Sequence, residues 1–162
     1  EAMVVRAART ALASNAGPVV VVTGAEADAV AALLAERAPA AAIVHNAVWE
    51  TGQATSMQAA LQALPASVEA AILMPVDQPY LDEVLLRRLV LAWRAGADLV
   101  APNIDGTMRG APALVARPYW PKLMAVTGDV GGRAVLAANK AACSTVPAEP
   151  NWLRDIDTPD DL

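Results

Sequence analysis

The chain has no phenylalanine, and aromatic residues fill only 4% of its 162 positions, so aliphatic side chains must do most of the core packing. Its one cysteine, Cys143, excludes an intrachain disulfide and fits a reducing compartment. Lysine is confined to Lys122 and Lys140, neither in a GxxxxGK sequence, which rules out a P-loop kinase. No apolar run approaches the roughly 20 residues that span a bilayer. The opening EAMVVRAART lacks the basic-then-apolar order of a signal peptide, so a cytoplasmic protein that engages no membrane is expected. Basic charge is also short. A net charge of −5 and a pI near 4.8 argue against nucleic-acid binding, which needs a positive stripe to displace counterions. They leave a nucleotide substrate open, because Mg²⁺ can bring a polyphosphate to carboxylates.

What is present reads as one domain with short apolar strands alternating with amphipathic helices. Residues 2–14 place Val4, Val5, Ala8 and Leu12 at helical spacing, and Asn15 to Pro18 end that helix. The run PVVVV at 18–22 is β-branched throughout, as a strand covered on both faces requires. Helices are predicted over 26–37, 56–64, 81–93, 119–125 and 132–138. Strands are predicted over 43–45, 70–76, 98–101, 113–116 and 143–146. The expected architecture is α/β, a three-layer, mostly parallel sheet with helices on both faces. The chain opens inside a helix and DIDTPDDL stops as another begins, so residues 1–162 are expected to be a single domain truncated at both ends.

Ligands of open parallel sheets bind beyond the carboxyl ends of the strands. There the sequence sets Thr23-Gly24, His45-Asn46 with the loop to Ser56, Asp77-Gln78-Pro79, the loop from Asn103 to Gly110, and Asp155 to Asp157. This set holds carboxylates, amides and glycines but no Ser/His/Asp group and no Cys/His metal spacing. Asp77 follows a strand without polar side chains, so its carboxylate should be held rigidly in the crevice, as Mg²⁺ requires; the bland alternative is a cap on the next helix. Asp155 and Asp157 form a second acidic turn pointed the same way by a preceding strand, while Thr158 and Pro159 suit a helix start. The loop from Glu50 to Ser56 leads into a helix whose N–H groups suit phosphate, with Ser56 equally readable as its N-cap. The loop TGDVGG at 127–132 reads as a second such site or as a plain turn, and Arg109 as a phosphate contact or a solvated side chain. His45 reads better as structural, and Trp49 as packing for its loop.

Taken in order, VVVVTGAEADAV, NAVWETGQATSMQAAL, PVDQPYL, RGAPALV, TGDVGGR and DIDTPDDL resemble the MobA-like nucleotidyltransferase family, and within it the molybdenum cofactor cytidylyltransferase branch. The resemblance covers almost the whole chain. It implies a Rossmann-like nucleotidyltransferase domain that moves CMP from CTP to the phosphate of molybdopterin and releases pyrophosphate, with Mg²⁺ as cofactor. It assigns Asp77, Asp155 and Asp157 to the metal, and Thr23, Gly24, Gly52, Ser56 and Asp77 to the nucleotide. Arg109, Gly110, Gly128 and Asp129 fall on the acceptor side, with Asp77 and Arg109 as the catalytic pair. A molybdoenzyme or its chaperone would be a transient partner. The family's first strand and glycine-rich triphosphate loop are expected ahead of Glu1. Two other readings stay open: a guanylyltransferase using GTP on molybdopterin or another phosphorylated small molecule, and a non-catalytic nucleotide-binding α/β module.

Overall fold

The computed structural model describes residues 1–158, and the helix expected to begin at Pro159 lies outside the described residues. Helix α1 (Met3–Ala13) turns Val5 and Ala8 inward and is followed by β1 (Val20–Thr23), α2 (Ala27–Arg37) and β2 (Ala42–His45). Strands β1 and β2 pair in parallel from Val20 opposite Ala42 to Thr23 opposite His45. Val19 and Val21 pack with Val5, Ala8 and Leu34, so α1 and α2 cover one side of this pair.

The second sheet comprises β3 (Ala70–Leu73), β4 (Leu99–Ile104), β5 (Thr107–Met108), β6 (Ala113–Ala116) and β7 (Cys143–Pro147). Its order is β3-β6-β4-β5, with β7 also on β4. Alternate residues of β4 and β6 face opposite sides, as the pleat requires. Leu99, Ala101, Ala113 and Val115 pack under α3 (Gln53–Ala63), α5 (Trp120–Met124) and α6 (Gly132–Ala138). Val100 and Leu114 pack under α4 (Glu83–Arg94), against Leu85, Leu86 and Leu89. The expected three layers, with helices on both faces, are therefore present.

Two expectations are corrected. The mostly parallel sheet is mixed: β6 runs antiparallel to both β3 and β4, and β5 is antiparallel to β4. The reason is the connection. No crossover helix separates β4 from β6, only the loop that carries β5, and a parallel return needs a crossover. Helix α3 starts at Gln53 with Gly52 as its N-cap, three residues before the expected 56, so Ser56 is not a cap. Gly52 sits at φ 122°, a region open to glycine and strained for other residues.

The cap of α4 is Asp82, whose side chain accepts the Val84 N–H at 2.8 Å. Replacing a capping carboxylate by alanine typically removes about 1 kcal/mol. Asp82→Ala is expected to lower stability by about that amount in urea unfolding, and an unchanged midpoint would show that the cap contributes nothing.

Candidate functional site

Strand β3 is apolar along its length and passes through Met74-Pro75-Val76 to Asp77. Since Asp82 caps the next helix, the capping alternative for Asp77 is removed. Its Oδ1 is buried and has no hydrogen-bond partner among the described residues. The pKa of Asp77 is raised, first by burial and then by the charges of Asp155 and Asp157, while its own backbone N–H acts in the opposite direction. The two acidic turns are joined directly. Ile156 N–H donates to the Asp77 carbonyl at 2.8 Å, and the Gln78 side-chain nitrogen donates to Asp155 Oδ1 at 3.0 Å. The turn at Asp155 follows a 3₁₀ segment, Pro150–Leu153, rather than the strand that was expected to aim it.

These residues open onto a cavity of about 1290 Å³. The cavity is bordered by the flank of β1 at Val20 and Val22 and by β3 from Ala70 to Leu73. Of the predicted site residues, it brings together Ser56, Asp77, Arg109, Gly110, Asp129 and Asp155. Asp157 joins them through its effect on Asp77. Thr23 is buried at the end of β1 and borders a different recess, beside His45 and Glu26. Gly24 lies under the Trp49 ring, where an added Cβ would come within 2.7 Å of Cγ, so Trp49 packs its own loop as read from sequence.

The two glycine loops meet. A Cβ on Gly52 would collide with the backbone carbonyl of Gly128. Ala54 N–H donates to that carbonyl at 3.0 Å, and Gln53 N–H to Asp129 Oδ1 at 3.3 Å. The first turn of α3, expected to offer these N–H groups to a phosphate, is therefore capped by the 127–132 loop. Gly52 and Gly128 lie outside the cavity lining and brace it from behind, while Asp129 caps α3 at the rim.

Three side chains acquire roles that sequence reasoning did not give them. Asn46 is buried, donating through Nδ2 to Thr55 Oγ1 at 2.9 Å and Ser56 Oγ at 3.0 Å, and accepting Val48 N–H at 3.1 Å. It fixes the Ser56 hydroxyl to the end of β2. Gln78 is the second, buried between the acidic turns. Arg133 is the third: it lies across Gly110, where a Cβ would come within 2.7 Å of its Nε. Arg109 and Arg133 both line the cavity, and neither has an ion-pair partner among the described residues. The GGR sequence at 131–133, a glycine pair before an arginine, was the available signal for this residue.

A divalent cation fits the acidic turns by donor chemistry, since a buried carboxylate oxygen lacks a partner and a second carboxylate is held beside it. Among the described residues no group of three or more His, Cys, Asp or Glu side chains is arranged to hold a metal ion. The two observations agree for an open site, because Mg²⁺ commonly uses one or two protein carboxylates and takes its remaining ligands from water and substrate phosphates.

The pattern of the MobA-like NTP transferase domain matches residues 1–143. Curated proteins gave no match. Among solved structures, Rv0371c of Mycobacterium tuberculosis in complex with manganese superposes with a TM-score of 0.83 at 21% identity, covering 98% of this chain and 83% of that one. The 4-diphosphocytidyl-2C-methyl-D-erythritol synthase of Anaerococcus prevotii gives 0.76 at 16% identity, covering 98% and 82%. Molybdopterin-guanine dinucleotide biosynthesis protein A of Archaeoglobus fulgidus gives 0.53 at 20% identity, covering 86% and 73%. At these identities the likeness is one of fold.

Two outcomes follow from the geometry. A raised Asp77 pKa means the folded chain holds this proton to higher pH than the unfolded chain, so stability is lost as pH rises from the ordinary value of 3.8 through the folded one. Asp77→Asn should therefore melt at or above the wild-type temperature at pH 7, with the difference vanishing in acid; a variant that melts lower at pH 7 would contradict this. Gly52→Ala combines a positive φ with a backbone collision and should cost about 1–3 kcal/mol, measured by urea unfolding.

Proposed function

The chain belongs to the MobA-like NTP transferase family, and we propose that it transfers CMP from CTP to the terminal phosphate of molybdopterin. In this reading residues 1–162 act as one cytoplasmic nucleotidyltransferase domain. The observation that carries it is the polarity of one cavity: the Asp77 and Asp155 carboxylates open onto the same space as the Arg109 and Arg133 guanidiniums. A polyphosphate with its cation matches both ends of that arrangement, and a neutral ligand matches neither.

In the reaction, an acceptor phosphate oxygen attacks the α-phosphorus of CTP. The α–β phosphoanhydride bond breaks, pyrophosphate leaves, and a new phosphoanhydride joins CMP to the acceptor. The attacking oxygen is already anionic, so no side chain has to remove a proton. Positioning and charge stabilisation are then most of the catalysis. Asp77 and Asp155, with Asp157 nearby, are assigned to the divalent cation, Mg²⁺ in this reading. When bound, the cation supplies electrostatic stabilisation of the transferring phosphoryl group. The Rv0371c complex with manganese supports a divalent ion on this fold. Arg109 and Arg133 are assigned to phosphate oxygens, which guanidinium groups bind through paired N–H donors. Gly110 lets Arg133 lie close across it, and Ser56, held by Asn46, presents a hydroxyl toward the nucleotide.

The choice of molybdopterin and CTP rests on the resemblance of the motifs. Transfer of GMP from GTP is the second reading, favoured by the molybdopterin-guanine protein among the structural neighbours. The deciding assay measures pyrophosphate release with molybdopterin, Mg²⁺ and each of CTP, GTP, ATP and UTP. It uses the protein as its gene encodes it, with any residues ahead of Glu1. Release with CTP alone is expected, and Asp77→Asn should reduce it by about 10²-fold or more. Release with GTP alone would establish the second reading. A folded protein that binds a nucleotide but releases no pyrophosphate would overturn both in favour of a non-catalytic module.

A further inference from the structure

We propose that Gln78 is a positioning residue for the cation site, its amide nitrogen holding the Asp155 carboxylate beside Asp77. The inference rests on the reading above that these two carboxylates serve a divalent cation. Gln78 is only 7% exposed, and its side-chain nitrogen reaches Asp155 Oδ1 at 3.0 Å across 77 positions of sequence. The orientation of the amide is fixed by chemistry, because its oxygen would repel the carboxylate that its nitrogen binds. That orientation leaves Gln78 Oε1 buried and without a hydrogen-bond partner among the described residues, as is Oδ1 of the preceding residue, Asp77.

Buried polar atoms in folded proteins are nearly always satisfied. Two buried acceptors without donors, on consecutive residues, therefore call for a polar guest, and a hydrated divalent cation would offer charge to Asp77 and water protons to Gln78. The backbone bond from Ile156 to the Asp77 carbonyl sets how closely the turns approach, but it does not orient the Asp155 side chain. Gln78 does. Residues that orient a ligand from behind typically change metal affinity 10- to 100-fold when replaced.

The test is Mn²⁺ binding without nucleotide, followed by the electron paramagnetic resonance signal of free Mn²⁺, with melting temperature recorded alongside. The proteins are wild type, Gln78→Met, Gln78→Asn, Asp155→Asn, and the double variant Gln78→Met with Asp155→Asn. Methionine keeps the volume without the amide, and asparagine keeps an amide too short to span the gap. Both single Gln78 variants are expected to weaken Mn²⁺ about tenfold or more. The double variant should lose less than the product of the two single losses, because Gln78 acts largely through Asp155. Affinity within about twofold of wild type in a folded Gln78 variant overturns the inference, as do fully multiplicative losses. Wild-type protein that binds no Mn²⁺ overturns the cation reading itself, and the inference with it.

Discussion

Like charges held together cost free energy, and this fold holds them together on purpose-built backbone. The Ile156 N–H to Asp77 carbonyl bond at 2.8 Å joins the loop after β3 to the loop after β7, two segments almost eighty residues apart. It uses main-chain groups, so it persists whatever the carboxylates do. Its consequence is electrostatic: burial raises the Asp77 pKa most, and the charges of Asp155 and then Asp157 raise it further. Without that bond the acidic turns would be free to separate and relax the repulsion. With it, the repulsion stays in the structure until a cation or a proton relieves it.

A second brace works on the opposite wall. The first turn of α3 takes up the Gly128 carbonyl and the Asp129 carboxylate, and Gly52 allows the contact only because it lacks a Cβ. A helix N-terminus left open would have been a general anion site; capped in this way, it becomes scaffold instead. Arg109 and Arg133, which also line the cavity, have no carboxylate partners of their own among the described residues. Rigid loops and unneutralised guanidiniums are complementary features, since a preorganised charge stabilises a substrate without having to be recruited first.

Much of the scaffold was legible because burial here follows period. The helix predicted at 132–138 and the strand at 113–116 match to the residue, and α1, α2 and α4 deviate by one or two residues at their ends. The position of Asp77 at the cavity was legible because an apolar strand leads to it. The failures at the site share a cause, which is partners distant in sequence. Ser56 was equally readable as a cap, because a hydroxyl before an apolar run usually is one, yet α3 takes its cap from Gly52 and a loop 76 positions away. Gln78 and Asn46 were noted at strand ends without a role, since nothing local distinguishes a buried amide from a solvated one. Their partners, Asp155, Thr55 and Ser56, become visible only once the strands are assembled. The mixed sheet was missed for a different reason: strand spacing was weighed while the missing crossover between β4 and β6 was not.

The same two braces explain why one cavity carries opposite charges without collapsing. Carboxylates and guanidiniums facing an open space would normally find each other, as Arg9 and Glu1 do on the surface at 2.6 Å. Here Asp155 is engaged by Gln78, Asp129 by α3, and Arg133 lies across Gly110. Asp155 and Asp129 are each held by a neutral hydrogen-bond donor and Arg133 lies against glycine backbone, so none of these three is drawn to an opposite charge. The cavity therefore carries Asp77 and Asp155 at the strand ends together with Arg109 and Arg133, with Asp129 at its rim. A ligand that combined a cation with several phosphates would meet partners of both signs there, whereas a single charge would be attracted by one set and opposed by the other.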